Sequence, residues 1–142
     1  MQIASNSKRT FLDTNVLVYT DDIRNLLKQQ TAIDLVKLHR RQNSGVVSIQ
    51  VLQEYFATVT KKFEISPESA RRKVETLARF HVASPSVEDV LSAIDLYRLQ
   101  NISIWDSLIL RMARQSGCSV LLTEDMNHGQ VIDGVRIVNP FL

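Results

Sequence analysis

Four carboxylates stand out in the 142-residue chain because of where each falls relative to an apolar run. Asp13 ends the run Phe11-Leu12, and Asp125 closes Leu122-Thr123-Glu124-Asp125. Glu54 stands in Val51-Leu52-Gln53-Glu54-Tyr55, and Asp106 in Trp105-Asp106-Ser107-Leu108-Ile109. Taken singly, each has an ordinary structural job. Asp13 can cap a helix, Asp125 can stabilise a turn, Asp106 has capping-box spacing from Ser103, and Glu54 is a good helix former. Brought together, the four would repel one another and hold protons tightly unless a cation neutralised them. His39, His81 and His128 lack zinc-ligand spacing and Cys118 is the only cysteine, so any metal would be held by oxygen. An all-oxygen donor set suits Mg2+ or Mn2+.

The elements that would position these acids follow from patterning. A strand from Lys8 to Leu12 stops at Asp13; residues 23–42 read as a helix closed by Asn43-Ser44-Gly45; Val46-Val47 is a second buried strand. Ser48 caps a helix in which Leu52, Tyr55, Phe56, Val59 and Phe63 recur at helical spacing, with Glu54 at the margin of that stripe. Ser66-Pro67-Glu68 starts a helix to about Arg79, and Phe80 to Ala83 is a weak third strand. Ser86 and Asp89 open a helix to about Leu99 whose apolar stripe is Val87, Val90, Leu91, Ile94 and Tyr97. The helix from Ser103 to Gln115 is expected to bury Trp105, Leu108, Ile109 and Met112 and to end at Gly117. Val120 to Leu122 and Val135 to Val138 are the last strands. Short apolar strands alternating with amphipathic helices predict an α/β fold with a mainly parallel sheet covered on both faces, one domain over residues 1–142. In such sheets ligands bind beyond the carboxyl ends of the strands, where Asp13 and Asp125 fall.

Charge is unevenly spread. Residues 1–81 hold 13 Lys/Arg and 8 Asp/Glu, a net +5, whereas residues 82–142 hold 4 and 7, a net −3. The basic half contains Arg40-Arg41, Lys61-Lys62 and Arg71-Arg72-Lys73, candidate contacts to the phosphates of a polyanion such as RNA. No apolar stretch approaches the roughly 18 residues of a membrane helix. Met1 to Thr10 lacks an apolar core after its basic residues, which makes the cytoplasm the expected location. Cys118 is expected to be a small buried hydrophobe, and His128 an incidental loop histidine.

The motifs around Asp13, Glu54, Asp106 and Asp125, with the terminal Asn139-Pro140-Phe141, resemble the PIN-domain ribonucleases, most closely the VapC-type toxins of toxin-antitoxin pairs. The likeness covers nearly the whole chain, with the four motifs in family order. It implies an α/β/α sandwich, a Mg2+- or Mn2+-dependent endoribonuclease acting through the four acids, and a homodimer held by a small antitoxin protein. The Thr-x-Asp pattern selects Asp125 over Glu124 as the fourth acid. Asn15 is expected to orient Asp13 and the Thr123 hydroxyl to support Asp125. A haloacid-dehalogenase-type phosphatase would need an acid where Asn15 stands, which weakens that reading. The alternative from another class is a noncatalytic PIN-type module that binds RNA or protein.

Overall fold

A computed structural model describes residues 8–142, so the reading of Met1 to Ser7 lies outside the described residues. Six strands form one sheet: β1 (Arg9–Leu12), β2 (Gly45–Ser48), β3 (His81–Ala83), β4 (Cys118–Leu122), β5 (Val131–Ile132) and β6 (Val135–Val138). Their order is β3-β2-β1-β4-β6-β5, and every pairing is parallel except that of β5 with β6. The central strands are short apolar runs because both faces are covered; Phe11, Leu12, Val46, Val47 and Leu121 are fully buried.

Among the described residues the helices are α1 (Thr14–Tyr19), α2 (Leu26–Arg41), α3 (Ile49–Lys62), α4 (Pro67–Leu77), α5 (Val87–Leu99) and α6 (Ile104–Gln115). The chain moves outward from β1 to β2 and β3, then returns to the other side of β1 at β4. Right-handed crossovers in opposite directions place α1 to α4 on one face and α5 with α6 on the other. Contacts agree, since α1 packs on α2 and α3, α3 on α4, and α5 on α6. The reversal of direction puts a topological switch point between β1 and β4, directly before Asp13 and Thr123.

Each helix start is set by its cap. Asp13 caps α1, Asn25 α2, Ser48 α3, Ser66 α4 ahead of Pro67, and Ser103 α6. Ser86 and Asp89 form the reciprocal capping box of α5. The expected helix over 23–42 therefore starts later, at Leu26, once Asn25 accepts the Lys28 N–H. The two-residue β5 has no counterpart among the sequence expectations; it is too short for alternation to mark it.

Two expectations fail on the α5–α6 side. Trp105 is 63% exposed and Leu108 only half-buried, so neither is core: Trp105 shares a stripe with Ile109 and Met112, but burial along α6 begins only at Ser107, and Leu108 lies to the side of that stripe. On α5 the apolar stripe Val87, Val90, Leu91, Ile94 and Tyr97 faces outward, and the inner face is instead Asp89 and Ala93. Asp89 explains the reversal. Its carboxylate closes the capping box to Ser86 and accepts from Arg111 Nε of α6 at 2.9 Å, a pair with Asp89 buried and Arg111 partly buried that turns this face inward. Cys118 is buried as expected, and burial pushes its thiol up to about 12, leaving it unreactive.

Candidate active site

Asp13 lies at the end of β1 with 5% of its surface exposed. Its Oδ1 accepts the Thr14 N–H at 2.7 Å and its Oδ2 accepts the Thr123 hydroxyl at 2.9 Å. Burial pushes its carboxyl up to about 7; the two hydrogen bonds oppose this, and the charges of Asp125 and Asp106 add to it. Asp106, in the first turn of α6, is also raised, first by burial and then by Asp125, with a smaller push from Glu54. The structure thus draws Asp13, Asp106 and Asp125 into one electrostatic neighbourhood, with Glu54 at its edge.

Glu54 Oε1 accepts the Thr14 hydroxyl at 2.7 Å, and Oε2 accepts from Gln50 Nε2 at 3.3 Å, one turn earlier on α3. Thr14 was not singled out in the sequence, yet it joins two of the acids: its N–H serves Asp13 and its hydroxyl serves Glu54. Asn15 does not reach Asp13 as expected. Its amide nitrogen donates to Asp125 Oδ2 at 3.0 Å and to Thr123 Oγ1 at 3.1 Å, while its carbonyl accepts the Glu124 N–H at 3.2 Å. Thr123, buried, accepts the Asp125 N–H through its hydroxyl oxygen and gives its proton to Asp13. Among the described residues none of the four acids forms an ion pair. Glu124, by contrast, is paired with Lys28 and accepts from Tyr19. Burial would raise its carboxyl, but these two donors hold it below the usual range.

A cavity of about 760 Å³ opens beside the cluster, and Thr14, Asn15, Glu54 and Asp125 line it. Lys62 and Arg24 line it too. Of the seven basic side chains singled out in the sequence, Lys62 alone is part of this lining. Lys73 is committed elsewhere, donating to Thr20 Oγ1 at 2.9 Å and pairing with Asp21 at 3.3 Å. Arg40 donates to the Thr76 carbonyl and stacks on Phe80, Arg71 pairs with Glu75, and Arg72 donates to Ser69. Arg41 and Lys61 are exposed. Arg24, stacked 5.1 Å from the Phe63 centroid and paired with Asp22, escaped sequence reasoning because it belongs to no basic run. His128 Nδ1 accepts the Asn139 N–H at 3.0 Å, which ties it to the end of β6.

The donor set fits a hard divalent cation: carboxylates without a basic partner, one of them buried against its own charge, and no sulfur or imidazole in the cluster. Among the described residues no three acidic, histidine or cysteine side chains already enclose an ion-sized space. An ion of the magnesium class keeps several waters and takes few carboxylates directly, so closer enclosure is not required.

Comparisons with known proteins agree with this fold. No curated protein matches the chain by sequence. A toxin-antitoxin complex from Klebsiella pneumoniae superposes with a TM-score of 0.67 at 18% identity, covering 92% of this chain and 97% of that one. VapC20 of Mycobacterium tuberculosis, described as a sarcin-ricin loop cleaving toxin, gives 0.62 at 14% identity, covering 79% and 86%. The DNA-bound VapBC complex of Salmonella typhimurium gives 0.67 at 19% identity, covering 92% and 96%. The PIN domain profile matches residues 10–132, most of the chain and all four acids, and with the switch-point cluster this establishes that the chain belongs to the PIN domain family.

Proposed function

We propose that the protein is a divalent-cation-dependent endoribonuclease and the toxin of a toxin-antitoxin pair. One observation carries the reading: acids from β1, α3, α6 and the end of β4 converge beside a cavity with no ion pair to any of them among the described residues, and the ionised Asp13 is buried at a cost that a bound cation would offset. In this reading Asp13, Asp106 and Asp125 hold Mg2+ or Mn2+, directly or through water. The ion would neutralise the cluster, acidify water beside it and polarise the phosphoryl group. Glu54, fixed by Thr14 and Gln50, orients the attacking water. Asn15 and Thr123 hold Asp125 and Asp13 in place. Lys62 and Arg24, across the same cavity, meet the RNA phosphates without reading the bases. The products are RNA ends with 5′ phosphate and 3′ hydroxyl.

The toxin assignment is supported by fold likeness to proteins solved with antitoxins. A basic side chain from a small antitoxin, laid into the cavity, would pair with these acids, none of which forms an ion pair among the described residues, and exclude the cation. The outward stripe of α5, with Leu91 50% and Ile94 40% exposed, supports a homodimer, since water-facing apolar residues at helical spacing gain by pairing. Incubating the purified protein with RNA in chelator, in Mg2+ and in Mn2+, with the new ends mapped, tests the proposal. Cleavage only with a divalent ion and 5′-phosphate ends are expected. Cleavage undiminished by chelator, or none with either ion, refutes it and, in the second case, favours a noncatalytic binding module.

A further inference from the structure

Glu124 sits between Asp125 of the acid cluster and Thr123, which is bonded to Asp13, yet its own carboxylate turns away from them. Thr123 reaches Asp13 and Asp125 accepts from Asn15, whereas Glu124 Oε1 accepts the Tyr19 hydroxyl at 2.7 Å and Oε2 pairs with Lys28 Nζ. Lys28 also donates to Tyr19 Oη at 3.3 Å, and its ammonium lies 5.0 Å from the Tyr19 ring centroid and 5.7 Å from that of Phe141. The two rings meet edge to face at 4.8 Å. The Lys28 and Glu124 side chains are only 33% and 26% exposed, so solvent screens this pair less than an open surface pair. One contact set thus ties the first turn of α2, the last turn of α1 and the C-terminal residues to the middle of the segment 123–125.

We infer that Lys28 and Tyr19 are positioning residues for the acid cluster: by gripping Glu124 they fix the backbone that aims Thr123 and Asp125 at the cavity. The inference rests on the nuclease reading and deepens it. β4 ends at Leu122, and beyond the Thr123 N–H bond to the Val138 carbonyl no strand pairing holds the next two residues. Their amides are held by side chains: Glu124 N–H by Asn15 and Asp125 N–H by Thr123. Those side chains also serve the acids, so they cannot anchor the loop independently of the charges they position. The Glu124 grip is a polar attachment outside the cluster, placed between the Thr123 N–H bond to Val138 and Met126, which packs against the core. It also occupies a carboxylate that would otherwise be free to join four others of the same sign.

Lys28→Met retains a long apolar stem over the two rings and removes the charge; Lys28→Arg restores the charge; Glu124→Gln retains the Tyr19 bond. Three measurements are made: amide hydrogen exchange at Glu124 and Asp125 in chelator, Mn2+ binding by calorimetry with the ion alone, and RNA cleavage with kcat and KM separated. Lys28→Met is expected to speed exchange at these amides by about 10-fold or more while leaving α5 unchanged. Mn2+ binding weakens, and kcat falls by about 10-fold with KM nearly unchanged, as misaim of a reacting group requires. Lys28→Arg recovers most of both, and Lys28→Met with Glu124→Gln is no worse than the poorer single variant. Native exchange and native Mn2+ affinity in Lys28→Met would overturn the inference. So would loss of Mn2+ binding in Glu124→Gln alone, which would make Glu124 a ligand. If the native protein cuts no RNA, the nuclease reading fails, and the exchange result still decides whether Lys28 holds the segment.

Discussion

Replacing Asp13 with Asn should make the cation-free protein more stable while destroying the proposed site. The gap between an ordinary carboxyl near 3.8 and a folded value of about 7 corresponds to ~4 kcal/mol of opposition to ionised Asp13 at pH 8. The sign follows from proton counts. Between those two values the folded chain holds a proton that the unfolded chain has released, so stability falls as pH rises through this window and is level above it. Asn keeps an acceptor for the Thr14 N–H, but its amino group replaces the oxygen that accepts the Thr123 hydroxyl, at a cost of ~1 kcal/mol. The net expectation is a gain of about 3 kcal/mol at pH 8 that shrinks to about zero near pH 4.5. Urea denaturation in chelator at the two pH values measures it, and saturating Mn2+ should reverse the ranking because only the native site binds the ion. A variant less stable than the native protein at pH 8, or a gain equal at both pH values, would refute the reasoning.

Three further outcomes are expected. Asp89→Asn should cost about 2 kcal/mol at neutral pH by removing the charge that faces the partly buried Arg111, which keeps only Gln115. Because the Ser86 N–H, against some opposition from burial, and Arg111 hold the Asp89 carboxyl below its usual range, this contribution is complete above the ordinary Asp value and is lost as pH falls through the lowered one; denaturation curves down to pH 2.5 check it. Lys62→Gln should raise KM for RNA, leave kcat nearly unchanged and flatten the salt dependence by about one phosphate contact, whereas Arg72→Gln, away from the cavity, should do little; kinetics at several salt concentrations separate them. Leu91→Glu with Ile94→Glu should convert a dimer to a folded monomer in analytical ultracentrifugation, and an unchanged sedimentation coefficient would exclude this face as the interface.

Strand ends were legible because an apolar run that stops at Asp13, or at Thr123 and Asp125, marks both the edge of the sheet and the place where ligands bind. Caps were legible for a similar local reason: Ser48, Ser66, Ser86 and Ser103 each precede the helix they start. Which face of a helix is covered was not. On α5 the choice was made by Asp89 and Arg111, 22 residues apart, and periodicity holds no record of such a partner. The same holds for charge. Lys73 and Arg72 are neighbours in one basic run, yet Asp21, 52 residues before Lys73, takes that lysine into an ion pair, while Arg24 enters the cavity from outside any run. Asn15 meets Asp125 instead of Asp13, and Thr123 supports the Asp125 N–H as expected but also gives its proton to Asp13, because spacing brings both near the acids without saying which oxygen each meets.

In the proposed reaction the carboxylates at the switch point act together, through one kind of cation, on the RNA backbone. Asp106→Asn tests it most directly, since Asn keeps the backbone N–H that Ser103 accepts and so preserves the start of α6. Native and variant proteins, matched in circular dichroism and melting temperature, are given the same RNA with Mn2+ and their initial cleavage rates compared. Rapid cleavage by the native protein and none detectable by Asp106→Asn are expected; a folded Asp106→Asn protein that cuts at the native rate would overturn the proposed metal-dependent mechanism.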